Sequence, residues 1–334
     1  MVKNELNRKD FASDVEVKWC RGCGDFNVLK TMQSVLAKLG RTRENTVFIS
    51  GIGCSSRFPY YLNTYGFHTI HGRAPAIATG VKAANPDLDV WVVTGDGDAL
   101  SIGGNHFMHA IRRNQDIKIL LFNNAVYGLT KGQFSPTSQQ GFVSKSSPEG
   151  SPDNVLQPLA IAAASGATFI ARTSDNDPGH MTMVLEAAAE HSGTAVVEIL
   201  QNCVIFNDKV HEPYNGPTNR NEHLVYLKQN EPLLFGKNHA KALTNKGFGF
   251  QVVTVETPSL ITHAPHEDNP QYAYALANLC YPEFPVPVGI FRQIIRPTFD
   301  QIMNEQKARS IENYGRGDIY ALLKQKQGSY QRVC

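Results

Sequence analysis

Four cysteines and two small polar turns hold the reactive groups of this sequence. Cys20 and Cys23 stand in Trp-Cys-Arg-Gly-Cys-Gly at residues 19–24, Cys54 in Gly-Ile-Gly-Cys-Ser-Ser at 51–56, and Cys203 follows Gln201 and Asn202. Four thiolates are the ligand set of a [4Fe–4S] cluster and equally of a tetrahedral zinc site, so spacing alone leaves both open. The turns are Gly95-Asp96-Gly97-Asp98 and, one helix and one strand further on, Asn-Asn-Ala-Val-Tyr-Gly at 123–128. Glycines let a backbone approach an anion closely, and the helix beginning near Gly104 aims its positive end at the same crevice. A magnesium ion beside such an anion takes hard oxygens, here the Asp96 carboxylate, the Asn124 amide oxygen and a backbone carbonyl. A lone Gly-Asp-Gly is also an ordinary strand-to-helix turn. Its pairing with the Asn turn favours a diphosphate and magnesium site.

The elements that must position these groups are legible from periodicity. Residues 47–52, 90–94, 117–122, 167–171 and 195–200 are short, β-branched or aromatic, and mostly apolar on both faces, which predicts buried strands. Helix-like segments at 25–39, 74–84, 104–113, 155–164 and 180–190 alternate with them. This alternation predicts an α/β fold with a doubly wound, mostly parallel sheet. Ligands of such sheets bind beyond the carboxyl ends of the strands, and the first three strands run straight into Gly-, Asp- or Asn-rich turns. Cys54 then shares a sheet edge with the diphosphate crevice, where a structural zinc has no evident task and an electron acceptor does. Beyond Cys203 the texture changes: residues 207–230 are rich in His, Asn and Pro and read as a long arm. A strand at 252–255, a polar loop at 260–269, a Pro-rich bend at 281–287 and a helix at 297–307 are expected after it. The chain thus divides into 1–207, which carries the chemistry, and 208–334, an extension for subunit contact. His263 and His266 read as solvated surface, Cys280 as a buried thiol and Cys334 as a free terminal one.

The 334 residues suffice for a substantial core, and an apolar fraction of 42% with 19% charged residues fits a folded globular chain. A net charge of +2 argues against nucleic acid or an anionic membrane as partner. No stretch approaches the roughly 20 apolar residues of a membrane span. The first ten residues are polar and mixed in charge, unlike a secretory signal, so a cytoplasmic location is expected. A reducing compartment turns the six cysteines away from disulfides and toward metal or redox chemistry.

Taken in order, WCRGCG, GIGCSS, HGRA at 71–74, TGDGDA at 94–99 and NNAVYGLTKGQ at 123–133, followed by Ser135-Pro136-Thr137, resemble the β subunit of 2-oxoacid:ferredoxin oxidoreductases. The match runs from about residue 14 to 207, and the rest is similar in length and style to the 2-oxoglutarate branch. The resemblance implies a thiamine-diphosphate-binding domain of the pyrophosphate type. It puts Asp96, Asn124 and the Val126 carbonyl at the magnesium positions and makes Cys20, Cys23, Cys54 and Cys203 the cluster ligands. It sets Ile52, Gly53, Cys54, Ser55, His71, Gly72, Arg73, Ala74, Gly95, Asp96, Gly97, Asp98, Gly128 and Leu129 around the cofactor, with His71 as the catalytic candidate. Pyruvate-specific relatives carry an Asn where Leu129 stands here, so this site is shaped differently. Arg57 suits bidentate pairing with the distal carboxylate of 2-oxoglutarate, and Lys131 is a second candidate.

The implied reaction is coenzyme A-dependent oxidative decarboxylation of 2-oxoglutarate to succinyl-CoA, with electrons passed to ferredoxin, reversible as reductive carboxylation. Pyruvate or a broad range of 2-oxoacids is the alternative. A zinc-stabilised, non-catalytic assembly subunit is the reading from another class. Thiamine diphosphate also needs an activating Glu from a pyrimidine-binding domain, which this family keeps on a separate chain. An α subunit, an (αβ)2 heterotetramer and a shared active site are therefore expected.

Overall fold

The computed structural model describes residues 6–258 and 260–324; Cys334 lies outside them. Its frame is an eight-stranded sheet. In chain order the strands are β1 (Thr46–Ser50), β2 (Tyr65–His68), β3 (Asp89–Gly95), β4 (Lys118–Asn123), β5 (Phe169–Ser174), β6 (Ala195–Leu200), β7 (Leu224–Leu227), β8 (Leu234–Phe235), β9 (Lys241–Lys246), β10 (Gly249–Thr254) and β11 (Val286–Gln293). The main sheet runs β2-β1-β3-β4-β6-β5-β11-β7, and β8, β9 and β10 form a small antiparallel sheet. Every pairing in the main sheet is parallel except β11 with β5. The expected doubly wound α/β class is the fold found.

Both faces of the sheet are covered, which is why its central strands read as continuous apolar runs rather than as alternation. Phe48, Trp91, Val93, Leu120, Phe122 and Val197 pack under helices α1 (Asp25–Lys38) and α6 (Pro178–Glu190). Their neighbours in sequence, Val47, Val92, Ile119, Leu121 and Val196, point the other way, toward α2 (Ala74–Ala84), α4 (Gly104–Arg112) and α5 (Pro158–Ala164), with the short α3 (Asp96–Leu100) beside them. The period of two along each strand thus divides one apolar run between two cores. Because β1, β3, β4 and β6 are consecutive neighbours in the sheet, the turns that leave their carboxyl ends are neighbours too.

Residues 208–324 do not form a separate layer. β7 and β11 enter the main sheet, and Val225, Leu227, Phe235, Leu243 and Phe291 join the same core as β1 and β3. The expected arm at 207–230 contains two short helices and β7. The Pro-rich bend gives way at Val286 to β11, where Pro287 is tolerated inside a strand. A helix at Gln271–Ala277, entered through Asn269-Pro270 with the Asn269 Oδ1 accepting the Gln271 N–H at 3.0 Å, buries Ala273, Leu276 and Ala277. A long helix runs from Phe299 to Tyr314 behind a Thr298/Gln301 capping box, with Asp300 buried, Phe299 half-buried and 301–314 exposed, and a short exposed helix, Ile319–Lys324, follows it. At the opposite rim, β2 is the outermost strand, and all four of its residues are exposed. Among the described residues no helix is long and apolar enough to cross a membrane.

His263 corrects the sequence reading. It is 1% exposed rather than solvated, with Nε2 on the Ile290 carbonyl at 2.7 Å and Nδ1 at 3.1 Å from the Tyr272 hydroxyl. Burial lowers its pKa to about 4, so the ring is neutral. His266 is exposed and meets only the Gln293 carbonyl, at 2.6 Å.

Candidate active site

At the carboxyl edge of the sheet two cavities stand back to back. The first, of about 80 Å³, is framed by the turns after β1, β3 and β4. Of the residues expected around a cofactor, Ile52, Gly53, Cys54, Ser55, His71, Gly95, Asp96, Gly97, Asp98, Gly128 and Leu129 line it. So do Asn124 and Val126, the other two candidate magnesium positions. Gly72, Arg73 and Ala74 do not line it: they lead into α2, and the Arg73 guanidinium donates to the Ile102 carbonyl at 3.3 Å. Phe122, Tyr127 and Thr130 complete the wall.

Asp98 assembles this edge. Its Oδ1 accepts the N–H groups of Ile52 at 3.1 Å and Gly72 at 2.7 Å and lies 2.6 Å from His71 Nδ1, while Oδ2 accepts the Thr94 hydroxyl at 2.7 Å. One carboxylate thereby binds the turn after β1, the turn before α2 and the end of β3. The approach is so close that a Cβ on Gly51 would sit 1.9 Å from Asp98 Oδ2. Asp98→Ala strands two backbone N–H groups and leaves the Thr94 hydroxyl only the Gly95 carbonyl, at 3.3 Å. At about 1–3 kcal/mol for each stranded group, a loss of roughly 2–6 kcal/mol in unfolding free energy is expected. Urea titration checks it, and a loss below about 1 kcal/mol would show that these turns are held by something else.

Asp96 is set differently. It is 2% exposed, and its Oδ2 stands 2.5 Å from the hydroxyls of both Ser135 and Thr137. The Thr137 hydroxyl, with one proton to give, is also 2.9 Å from Asn123 Oδ1. Burial raises the Asp96 pKa to about 6 against the pull of those hydroxyls. A cation placed there would draw that pKa back down, since an opposite charge favours the ionised form. Asn124 Oδ1 accepts the Val126 N–H at 3.2 Å, and Ala125 takes a left-handed turn at φ 52° that folds the loop back over the cavity. Tyr127 seats on Gly97: its hydroxyl donates to the Gly97 carbonyl at 3.1 Å, where any Cβ would meet the ring at 2.2 Å.

The second cavity, of about 200 Å³, is lined by all four sequence-predicted thiols, Cys20, Cys23, Cys54 and Cys203. Cys54, Asn124, Gly128 and Leu129 line both cavities, so a single layer of residues divides them. At Gly128 a Cβ would come within 3.5 Å of Cys203 Sγ and 3.8 Å of Cys54 Sγ. The indole N–H of Trp19 donates to the Cys54 carbonyl at 2.7 Å. Burial, then Asp25, raises the thiol pKa of Cys54 to about 11 and that of Cys23 further. Asp25 itself, buried and close to Asp175, rises to about 7. Among the described residues no group of three or more His, Cys, Asp or Glu side chains is set as a single metal ion would need.

Arg57 and Lys131 stand away from the first cavity. Arg57 lies on the wall of the cysteine cavity, with its Nη1 on the Lys18 carbonyl at 3.1 Å, because the 3-10 turn Ser55–Tyr61 directs it toward the N-terminal segment. Lys131 is exposed on the loop just past Thr130. A third cavity, of about 290 Å³, lies between β6 and the extension. Its charged groups are spent on one another, as in the 2.7 Å Arg172–Glu198 pair.

Residues 51–199 match the thiamine pyrophosphate enzyme C-terminal TPP binding domain. The chain is 49% identical over 198 residues to "2-oxoacid:ferredoxin oxidoreductase 1, subunit beta" of Aeropyrum pernix, an alignment covering 59% of this chain and 62% of that one. It is 52% identical over 321 residues to "2-oxoglutarate oxidoreductase subunit KorB" of Mycobacterium tuberculosis, covering 94% of this chain and 86% of the relative. The chain belongs to the β subunits of the 2-oxoacid:ferredoxin oxidoreductases. A solved 2-oxoglutarate:ferredoxin oxidoreductase of this family, from Magnetococcus marinus, superposes with a TM-score of 0.78 at 32% identity, covering 96% of this chain and 97% of that one. That structure holds 2-oxoglutarate, coenzyme A and succinyl-CoA. As a β subunit of this family, the chain is part of an oxidoreductase, and its two cavities are the place to look for the chemistry.

Proposed function

We propose that this β subunit serves a 2-oxoglutarate:ferredoxin oxidoreductase. The reaction is 2-oxoglutarate plus coenzyme A giving succinyl-CoA and carbon dioxide, with two electrons leaving one at a time through a [4Fe–4S] cluster to ferredoxin. It is reversible, and thiamine diphosphate supplies the carbon–carbon chemistry. The observation that carries this reading is the shared wall: an oxygen-donor pocket and a four-thiol cavity separated by Cys54, Asn124, Gly128 and Leu129.

The residues fit the groups asked of them. Asp96, Asn124 and the Val126 carbonyl are hard oxygen donors suited to magnesium, and the turns after β1, β3 and β4 hold the diphosphate. His71, fixed through Nδ1 beside Asp98 and 38% exposed on its side chain, is the group free to face the reacting atoms. The cysteine cavity has room for a multi-atom cluster, whereas a zinc ion would need its sulfurs drawn in to about 2.3 Å from one point. Arg57 and Lys131 remain the proposed cations for the distal carboxylate of the substrate, reached from the rim. Arg57 shares its cavity with Leu129, and Lys131 follows Thr130.

An α subunit completes the site with the activating Glu, in an (αβ)2 heterotetramer. Residues 1–207 carry the chemistry, and 208–334 serve subunit contact, for which the exposed Ile302, Met303, Ile311 and Tyr314 of the helix Phe299–Tyr314 are suited. The free thiols fit a reducing cytoplasm. Anaerobically purified complex should be brown and should bleach on addition of 2-oxoglutarate with coenzyme A. Its kcat/KM for 2-oxoglutarate should exceed that for pyruvate at least about tenfold, because a site that pairs a carboxylate discriminates against a substrate lacking it. Equal or faster turnover of pyruvate would overturn the substrate, and a colourless iron-free complex would overturn the cluster.

A further inference from the structure

Between the two cavities runs one continuous side-chain connection, and Gln201 makes it. The Asn124 amide Nδ2 donates to Gln201 Oε1 at 2.8 Å, and Gln201 Nε2 donates to Cys23 Sγ at 3.3 Å. The direction of the chain is fixed at its far end. The Val126 backbone N–H, which can only donate, takes Asn124 Oδ1 as acceptor and so turns Asn124 Nδ2 toward Gln201. Gln201 must then present its oxygen to Asn124 and its N–H groups to Cys23 and, at 2.6 Å, to the Asn202 carbonyl. The glutamine is 1% exposed, and its backbone N–H is anchored on the Asn123 carbonyl at 2.9 Å where β4 and β6 end. Reversing the amide would set its N–H groups against the Asn124 donor and its oxygen against the Asn202 carbonyl.

We propose that Gln201 is a positioning residue that couples the metal of the diphosphate pocket to the redox potential of the cluster. The inference rests on the magnesium and cluster reading above. An N–H group aimed at a ligand sulfur stabilises the more negative, reduced cluster and so raises its potential. A cation on Asn124 Oδ1 polarises that amide, which strengthens each later donor in the chain, since linked hydrogen bonds reinforce one another. Binding of the magnesium diphosphate therefore eases cluster reduction. By reciprocity, cluster reduction tightens the magnesium diphosphate by the same factor.

The test uses the anaerobic αβ complex and two near-isosteric variants. Gln201→Met removes the links to Asn124 and Cys23 together with the bond to the Asn202 carbonyl; Gln201→Glu keeps an acceptor for Asn124 but replaces the N–H donor at Cys23 with an oxygen. Potentiometric titration followed by electron paramagnetic resonance should find one-electron reduction about tenfold less favourable in Gln201→Met, equivalent to about 59 mV, and less favourable still in Gln201→Glu. Thiamine diphosphate affinity at fixed magnesium, measured with the cluster oxidised and reduced, should differ in the wild type and differ less in Gln201→Met. Unchanged midpoints, or the same affinity ratio in wild type and variant, overturn the role of Gln201. A wild-type complex with no iron signal would instead remove the cluster reading, so the two failures are separable. A variant that failed to assemble would leave the wild-type affinity ratio as the deciding measurement, with a ratio of one overturning the coupling.

Discussion

Asp96→Ala is expected to remove thiamine diphosphate retention and turnover together while leaving iron content and visible absorbance intact. The carboxylate is buried with its Oδ2 held by Ser135 and Thr137, on the same pocket wall as Asn124 and Val126. Groups that merely orient a metal ligand typically account for 10–100-fold in affinity, so loss of a ligand itself should exceed about 100-fold. Ser135→Ala or Thr137→Ala should fall within the smaller range. Alanine leaves no buried charge behind, and the pocket is only about 80 Å³, so the fold should survive. Equilibrium binding of thiamine diphosphate at fixed magnesium measures the effect. Wild-type affinity in Asp96→Ala would place the magnesium elsewhere.

Cys54→Ser should give the complementary result. Its thiol lines the cysteine cavity, while its backbone belongs to the turn that borders the diphosphate pocket. Serine preserves the turn, including the Cys54 carbonyl that accepts the Trp19 indole, but offers iron a poor ligand. Iron per complex and the brown absorbance should drop sharply, and ferredoxin reduction should fall to background, with thiamine diphosphate binding kept to within a fewfold. A full complement of iron and normal ferredoxin reduction in Cys54→Ser would remove this cysteine from the ligand set. The two variants therefore form a double dissociation: one loses the organic cofactor and keeps the iron, the other does the reverse.

The reach of the sequence reading has physical reasons. The central strands were legible because burial on both faces demands apolar residues at every position, and the turns were legible because only glycine tolerates the approach seen at Gly51 and Gly97. β2 was not legible, since none of its four residues is buried and nothing in Tyr65–His68 alternates. β11 was obscured by Pro287, which argues against a strand until its neighbours are known. Ser135 and Thr137 stood in a recognised motif, yet their task depends on the loop after β4 folding back onto Asp96, a contact without periodicity. Gln201 gave no signal beyond its nearness to Cys203, because a neutral amide declares its role only through its partners, here on two segments far away in sequence. His263 misled for the opposite reason: its polar surroundings in sequence suggested water, but the Tyr272 ring and β11 cover it.

The rim strand Tyr65–His68 has a consequence for what can pair with this subunit. It pairs with β1 along one side only, and it carries Tyr65 and Phe67 at 63% and 48% exposure, close to Ile70 at 75%. Neither a lysine, a proline nor a bulge blunts it, the usual defences against another chain adding to a row of unsatisfied amides and carbonyls. Such a rim is a template on which a further strand, from another protein or from a second copy of this chain, can add.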